Sequence, residues 1–231
     1  MKINHINTNQ LVKKYKLQSL QNTIEKLDKN KLHLCFYIKD FNVNPLFLAQ
    51  RLIYKINGDP AIDHVGFLNH FYFDDSRKQW SARTLDATLI NGVVESNFID
   101  FIEDYKGKVI ITTLPACDYD KLNSFTKLME GISYGKIAAA LSAIDGDFVD
   151  RATKKIYSRI NDLKNNNKWL QSFKYSKKSI FCSFKTALML IDQGYDISFI
   201  ENGKPIEMTP IDVFRIAIEL SDSEPQLVYY H

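Results

Sequence analysis

The sequence has few cysteines and no long apolar run. Its three cysteines, Cys35, Cys117 and Cys182, are odd in number and far apart, and no CxxC pair occurs. This spacing argues against a disulfide framework and a zinc ribbon, and it favours a reducing compartment. No apolar stretch approaches the roughly 18 residues that span a bilayer, and the first residues lack the apolar core of a secretory signal. We therefore expect a cytoplasmic protein, or a virus- or phage-encoded protein that stays inside the cell.

The composition is that of a globular protein with one uneven charge distribution. The chain has 231 residues, of which 45% are hydrophobic and 25% charged, with a net charge of +3. Residues 151–178 contain nine basic residues and one acid, so this segment carries +8 and the rest of the chain −5. We interpret residues 136–178 as a basic helical insertion. It is either a solvated helix face or a surface that binds lipid head groups, nucleic acid or an acidic partner. The side chains that would bind such a partner are Arg151, Lys154, Lys155, Arg159, Lys164 and Lys168.

Hydrophobic periodicity predicts an α+β fold. We expect an antiparallel sheet of roughly four to six strands with the helices grouped on one side. An N-terminal helical extension, residues 1–31, precedes the main domain at 32–231. The predicted strands cover residues 32–38, 64–73, 80–89, 107–114 and 226–230. The predicted helices cover residues 8–30, 45–56, 98–105, 118–130, 137–144, 148–163, 182–193 and 210–220.

Cys182 stands where an apolar helix begins. Ala187, Leu188 and Ile191 recur at helical spacing, and Gly194 can end the helix in a left-handed turn. The first-turn amides of such a helix point their partial positive charge at the sulfur, which lowers the thiol pKa and favours the reactive thiolate. The competing interpretation is a buried structural cysteine, since cysteine is among the most buried residue types.

His64 and Asp86 are the partners that a nucleophilic cysteine needs. A base must pair with the thiol, and an acceptor must orient the base. His64 lies on a predicted strand beside Gly66, which leaves room for another group to approach. Asp86 lies on the polar face of the neighbouring predicted strand, so a cross-strand contact with His64 is expected. Glu95, after the Gly92 turn, is the alternative orienting acid.

Several short motifs resemble, in their order, the circularly permuted papain-like branch of the NlpC-type superfamily. YiiX-like proteins, lecithin–retinol acyltransferases and a set of viral proteins belong to that branch. Its pattern contains a His-Val-Gly, an acid-Ala pair before a Gly-Val, a Gly…Tyr pair and a Cys-Ser that opens a helix. The matching segments here are Asp63–Phe67, Leu85–Ala87, Asn91–Val94, Gly131–Tyr134, Phe181–Ser183 and Thr209–Asp212.

The resemblance implies a permuted papain-like fold with the nucleophile at a helix N-terminus. By that resemblance Cys182 is the nucleophile, His64 the base and Asp86 the third polar residue, where the family usually has Glu. The Cys182 amide would supply part of the oxyanion hole. Tyr134 and Ser183 are candidates for the cleft or the oxyanion site.

Two functions follow as expectations. The first is a cysteine amidase, peptidase or acyltransferase that forms a thioester on peptide, peptidoglycan-fragment or acyl-lipid substrates, with no cofactor and no metal. The second is a catalytically inactive structural or accessory protein of the same fold, for instance virus-encoded, which binds an anionic surface or partner through the basic insertion. Salt-dependent binding that is lost on charge reversal at Lys154 and Lys155 would favour the second.

Overall fold

A computed structural model of the protein describes residues 20–39, 62–88, 91–105, 107–134, 182–197 and 208–229. The helices predicted over 45–56, 137–144 and 148–163 lie outside these residues, as do the basic insertion and its six candidate anion-binding side chains.

The described strands form one six-stranded sheet, and every neighbouring pair in it is antiparallel. The order across the sheet is β4-β3-β2-β1-β5-β6. The α+β prediction and the five predicted strands are confirmed. The strands are β1 Leu32–Lys39, β2 His64–Asp74, β3 Gln79–Thr88, β4 Gly92–Asn97, β5 Gly107–Leu114 and β6 Gln226–Tyr229.

Helices cover both faces of this sheet, so the prediction that they group on one side is wrong. They are α1 Leu20–Lys26, α2 Phe98–Tyr105, α3 Tyr119–Met129, α4 Cys182–Asp192 and α5 Pro210–Leu220. One core layer joins the sheet to α3, α4 and α5, and a second joins its other face to α1 and α2. Strand β1 shows that the sheet is covered on both faces, because its consecutive residues 32–37 are all buried. None of the described helices has the length and apolar character to cross a membrane.

A β-bulge in β2 changes which face its aromatic residues occupy. Strict alternation predicts that Val65, Phe67 and Phe71 share one face. The register with β3 instead shifts between Leu68 and His70. Val65 and Phe67 therefore pack with α3, α4 and α5, while Phe71 packs against the α1–α2 layer. The extra residue of a bulge reverses the inward and outward positions beyond it.

Strand β4 is missing from the sequence prediction, which recognised only the turn at Gly92. Gly92 has φ +69°, and a Cβ there would overlap the backbone carbonyl of Ile132. The close approach lets Val93 donate to the Ile132 carbonyl at 2.8 Å and accept from Gly131 at 2.8 Å. Strand β4 therefore holds the segment that leads into Tyr134.

The start of α5 carries a complete capping box. The Thr209 hydroxyl accepts from the Asp212 amide, and the Asp212 carboxylate accepts from the Thr209 amide at 2.9 Å. We expect Thr209→Ala to lower the free energy of unfolding by about 1 kcal/mol, because the first-turn amide loses its acceptor. Urea denaturation measures this change. Glu219→Ala, at an exposed position of the same helix, is the control, and an equal loss there would contradict the capping assignment.

Candidate active site

Cys182 is the first residue of α4, and two side-chain hydrogen bonds stabilise this end of the helix. The Thr186 hydroxyl donates to the Cys182 carbonyl at 3.0 Å, and the Ser183 hydroxyl donates to the Met208 carbonyl at 2.6 Å. Gly194, at φ +88°, follows the other end of the helix, as a left-handed helix stop requires. Residues 182–190 are all buried. The sulfur thus enters the site on a rigid element.

His64 and Asp86 lie on neighbouring strands and contact each other directly. His64 Nε2 lies 2.8 Å from Asp86 Oδ1, with 12% of the histidine side chain exposed and none of the aspartate side chain. Gly66 makes this contact feasible, because a Cβ at that position would overlap Asp86 Oδ1. The predicted cross-strand contact is therefore present, and it requires glycine at residue 66.

The Cys182 sulfur lies within hydrogen-bonding reach of the His64 ring. Because Asp86 takes Nε2, Nδ1 is the ring nitrogen left for the sulfur. Two further groups reach the same sulfur. The backbone N–H of Val65 donates to it and lowers its pKa, and the Tyr134 hydroxyl lies beside it, where burial and then Cys182 raise the pKa of the tyrosine. These contacts join α4, β2 and β3 at one point.

The electrostatics of the pair favour a thiolate and an imidazolium. Burial disfavours charge on His64, but Cys182 and Asp86 outweigh it and raise the pKa of His64 to about 9. Burial also disfavours charge on Cys182, but the attraction and hydrogen bond of His64 lower its pKa below the ordinary value, helped by the Val65 amide and Lys185. The two protons titrate as a pair, and the opposite shifts of the two pKa values favour charge separation.

The pKa values of the other two cysteines shift in the opposite direction. Burial raises the pKa of Cys117 to about 12, and burial raises the pKa of Cys35 well above its ordinary range. No cation in the described part of the chain offsets the burial of Cys117 in the way that His64 does for Cys182. All three thiols are free, so the direction of the pKa shift distinguishes Cys182 from the other two thiols of the same molecule.

An aromatic cluster supports the His64 ring from the α1–α2 side of the sheet. The ring centroid of His64 lies 5.2 Å from that of Tyr37 and 5.9 Å from that of Phe101. Tyr105 stacks on Phe101 and packs against Tyr37. Sequence reasoning missed this cluster, since its members come from β1 and α2, far apart in the chain. It limits the ring to orientations that face Asp86 and Cys182.

Strands β2 and β3 separate beside the site. Their register begins at Phe67 opposite Leu85, whereas β2 stays paired with β1 as far as His64 and β3 with β4 as far as Thr88. We call residues 64–66 and 86–88 the fork. Lys185 enters here from α4, and its Nζ donates to the Leu85 carbonyl. The sequence prediction did not include Lys185.

Two further candidate residues have other partners. The Ser183 hydroxyl is fully buried and donates to Met208, so the hydroxyl does not line a cleft. The Glu95 carboxylate accepts from Asn69 at 2.5 Å, while Asp86 occupies the imidazole. The predicted alternatives at Ser183 and Glu95 are therefore not brought to the sulfur and the ring, whereas Tyr134 is.

No protein-family model matches this chain, and no curated protein is significantly similar to it. The chemistry must therefore be read from the side chains. A buried thiol, an imidazole and a carboxylate in one series of contacts can activate the sulfur and deliver a proton. Attack on a carbonyl carbon uses both of these capacities.

Gly66→Ala tests whether the close approach of Asp86 governs the thiol. The added methyl group would push Asp86 from His64, weaken the imidazolium and raise the Cys182 pKa. We expect the rate of Cys182 alkylation by iodoacetamide at pH 7 to fall by about tenfold, which corresponds to roughly one pKa unit.

Asp86→Asn and the double variant complete this test as a double-mutant cycle. If Gly66 acts through Asp86, the double variant should be no slower than Asp86→Asn alone. Fully additive losses would show that Gly66 acts on the thiol by another route.

Proposed function

We propose that this protein is a cysteine hydrolase or acyltransferase with a circularly permuted papain-like fold. The observation that carries the proposal is the series of contacts from Cys182 through His64 to Asp86, with the sulfur at the start of a helix. The chain order of histidine, acid and then cysteine agrees with the permuted branch that the sequence motifs resemble. Roles in such a triad are recognised by geometry rather than by chain order.

The first step forms a thioester. The Cys182 thiolate attacks the carbonyl carbon of an amide or ester, and the carbonyl π electrons move to the oxygen. The Cys182 backbone amide at the helix start stabilises that oxyanion. His64 Nδ1 gives its proton to the departing nitrogen or oxygen as the C–N or C–O bond breaks. The Asp86 carboxylate stabilises the imidazolium before this transfer.

The second step releases the acyl group. Neutral His64 takes a proton from water, and the resulting hydroxide attacks the thioester carbon. The C–S bond breaks, a carboxylic acid leaves, and the thiolate–imidazolium pair is restored. An alcohol or amine in place of water gives acyl transfer by the same bond changes. The Tyr134 hydroxyl, beside the sulfur, stabilises the thiolate as it leaves the acyl carbon.

The substrate classes come from the resemblance. We propose peptides, peptidoglycan fragments or acyl lipids, each with an amide or ester carbonyl for the sulfur to attack. Free cysteines throughout fit action inside a cell, in a bacterial or a virus- or phage-infected host. A thiol of lowered pKa is readily oxidised, so a reducing compartment would preserve it best.

Cys182→Ala tests the proposal against a matched cysteine. We expect hydrolysis of peptidoglycan peptides or short-chain thioesters to fall by at least about a thousandfold, because no other described group supplies the nucleophile. Cys117→Ala should keep full activity, since Cys117 has a raised pKa and no base beside it among the described residues. Liquid chromatography of the released acid measures both. Hydrolysis that survives in Cys182→Ala would exclude this mechanism, whereas a wild-type protein that hydrolyses none of these substrates would leave binding as the function.

The pH dependence of hydrolysis supplies a second test. Acylation requires His64 to be protonated and Cys182 to be ionised. The rate should rise as Cys182 ionises below its ordinary pKa, and it should fall as pH passes about 9, where His64 loses its proton. Initial rates from pH 5 to 10.5 would measure this profile. An alkaline limb near pH 6.5, the ordinary histidine value, would contradict the assignment of an imidazolium stabilised by Asp86 and Cys182.

A further inference from the structure

Lys185 is a fully buried lysine one helical turn after Cys182. Its Nζ donates to the Leu85 carbonyl at the fork and lies 4.8 Å from the centre of the Phe67 ring. Placing an ammonium group in the core is costly unless nearby groups compensate it. One carbonyl and one aromatic face are weak compensation for a full charge, so its negatively charged neighbours must matter.

The neighbouring groups place negative charge around Lys185. Asp86 directly follows Leu85 on β3, and it attracts the ammonium, as does Cys182 on the same helix. Asp86 Oδ2 is buried and has no hydrogen-bond partner in the described part of the chain. One oxygen of this carboxylate is thus held by His64, while the other relies on charge through space.

We propose that Lys185 is a positioning residue that balances the buried negative charges of Asp86 and Cys182 and so keeps the sulfur ionised. The inference rests on the proposed function, because it assigns Lys185 to the same reactive thiol. With Lys185 present, two cations face two anions: His64 and Lys185 face Cys182 and Asp86. Without Lys185, the buried set of His64, Cys182 and Asp86 carries one uncompensated negative charge.

The helix and the strands packed around the Lys185 ammonium each place a titratable group near it. The helix contributes Cys182, β3 contributes Asp86, and β1 contributes the thiol of Cys35. Cys35 stays neutral because burial raises its pKa well above its ordinary range. His64, on β2, interacts with the same two groups, Asp86 and Cys182. Burial lowers the pKa of Lys185 to about 8, against the attraction of Asp86 and Cys182, so the ammonium is the main form at pH 7.

Removal of the Lys185 charge should therefore raise the thiol pKa. A unit charge about one helical turn away, at an effective dielectric constant of about 20, shifts a pKa by about two units. A lysine that served only to pack the core would affect stability and the yield of folded protein. It would leave unchanged the pH at which Cys182 becomes reactive.

Three variants separate charge from packing. Lys185→Gln keeps a polar donor without charge, Lys185→Met keeps the apolar stem, and Lys185→Arg keeps the charge. Each full-length protein, checked for folding by circular dichroism, is treated with iodoacetamide from pH 5 to 10. Peptide mass spectrometry follows each cysteine separately, so Cys117 is an internal reference whose profile should not move.

The expected result is an acid limb for Cys182 about two pH units higher in Lys185→Gln and Lys185→Met, with the wild-type position kept in Lys185→Arg. If both neutral variants fold and keep the wild-type limb, Lys185 does not act on the sulfur and the inference is overturned, while the proposed function stands. If both neutral variants fail to fold, Lys185 serves the fold and the inference is also overturned. A wild-type Cys182 that reacts only above pH 9 would defeat the proposed function itself.

Discussion

The site depends on one buried contact, in which the carboxylate of Asp86 lies against the imidazole of His64. A charge removed from water must be paired, and each surrounding feature contributes to that pairing. Gly66 leaves space for the carboxylate, and the fork exposes the Leu85 carbonyl to Lys185. The aromatic cluster limits the ring on its other side. The polarised ring then acts on a sulfur that a helix start presents to it.

Much of the sheet can be predicted because its strands have strong apolar patterns and clear turn residues. The same holds for α4 and α5, which have good start signals at Cys182 and at Thr209–Pro210. Strand β4 is harder, because residues 92–97 are few and partly polar and gain their place by pairing with β3. The bulge in β2 leaves no mark in the pattern of residues, so the face of Phe71 cannot be predicted from alternation alone.

The residues of the site likewise fall into those that can be predicted from the sequence and those that cannot. His64 and Asp86 can be paired from sequence, because polar residues on the same face of adjacent strands are natural neighbours. Lys185 cannot, because a lysine in an otherwise apolar helix is expected to reach solvent. Ser183 and Glu95 have the right chemistry, but hydrogen bonds to Met208 and Asn69 occupy them. Which polar groups remain available is a property of tertiary packing.

The separation of His64 and Cys182 along the chain has a consequence for folding. Strands β1 to β5 all precede α4, so most of the sheet can assemble before the nucleophile arrives. Until α4 docks, the sulfur lacks the Val65 amide and the imidazole, and it behaves as an ordinary thiol. Closing so long a loop is slow compared with local pairing. The sulfur therefore becomes reactive only in a chain in which α4 has docked on the sheet, and a partly folded chain without that contact does not carry a misplaced nucleophile.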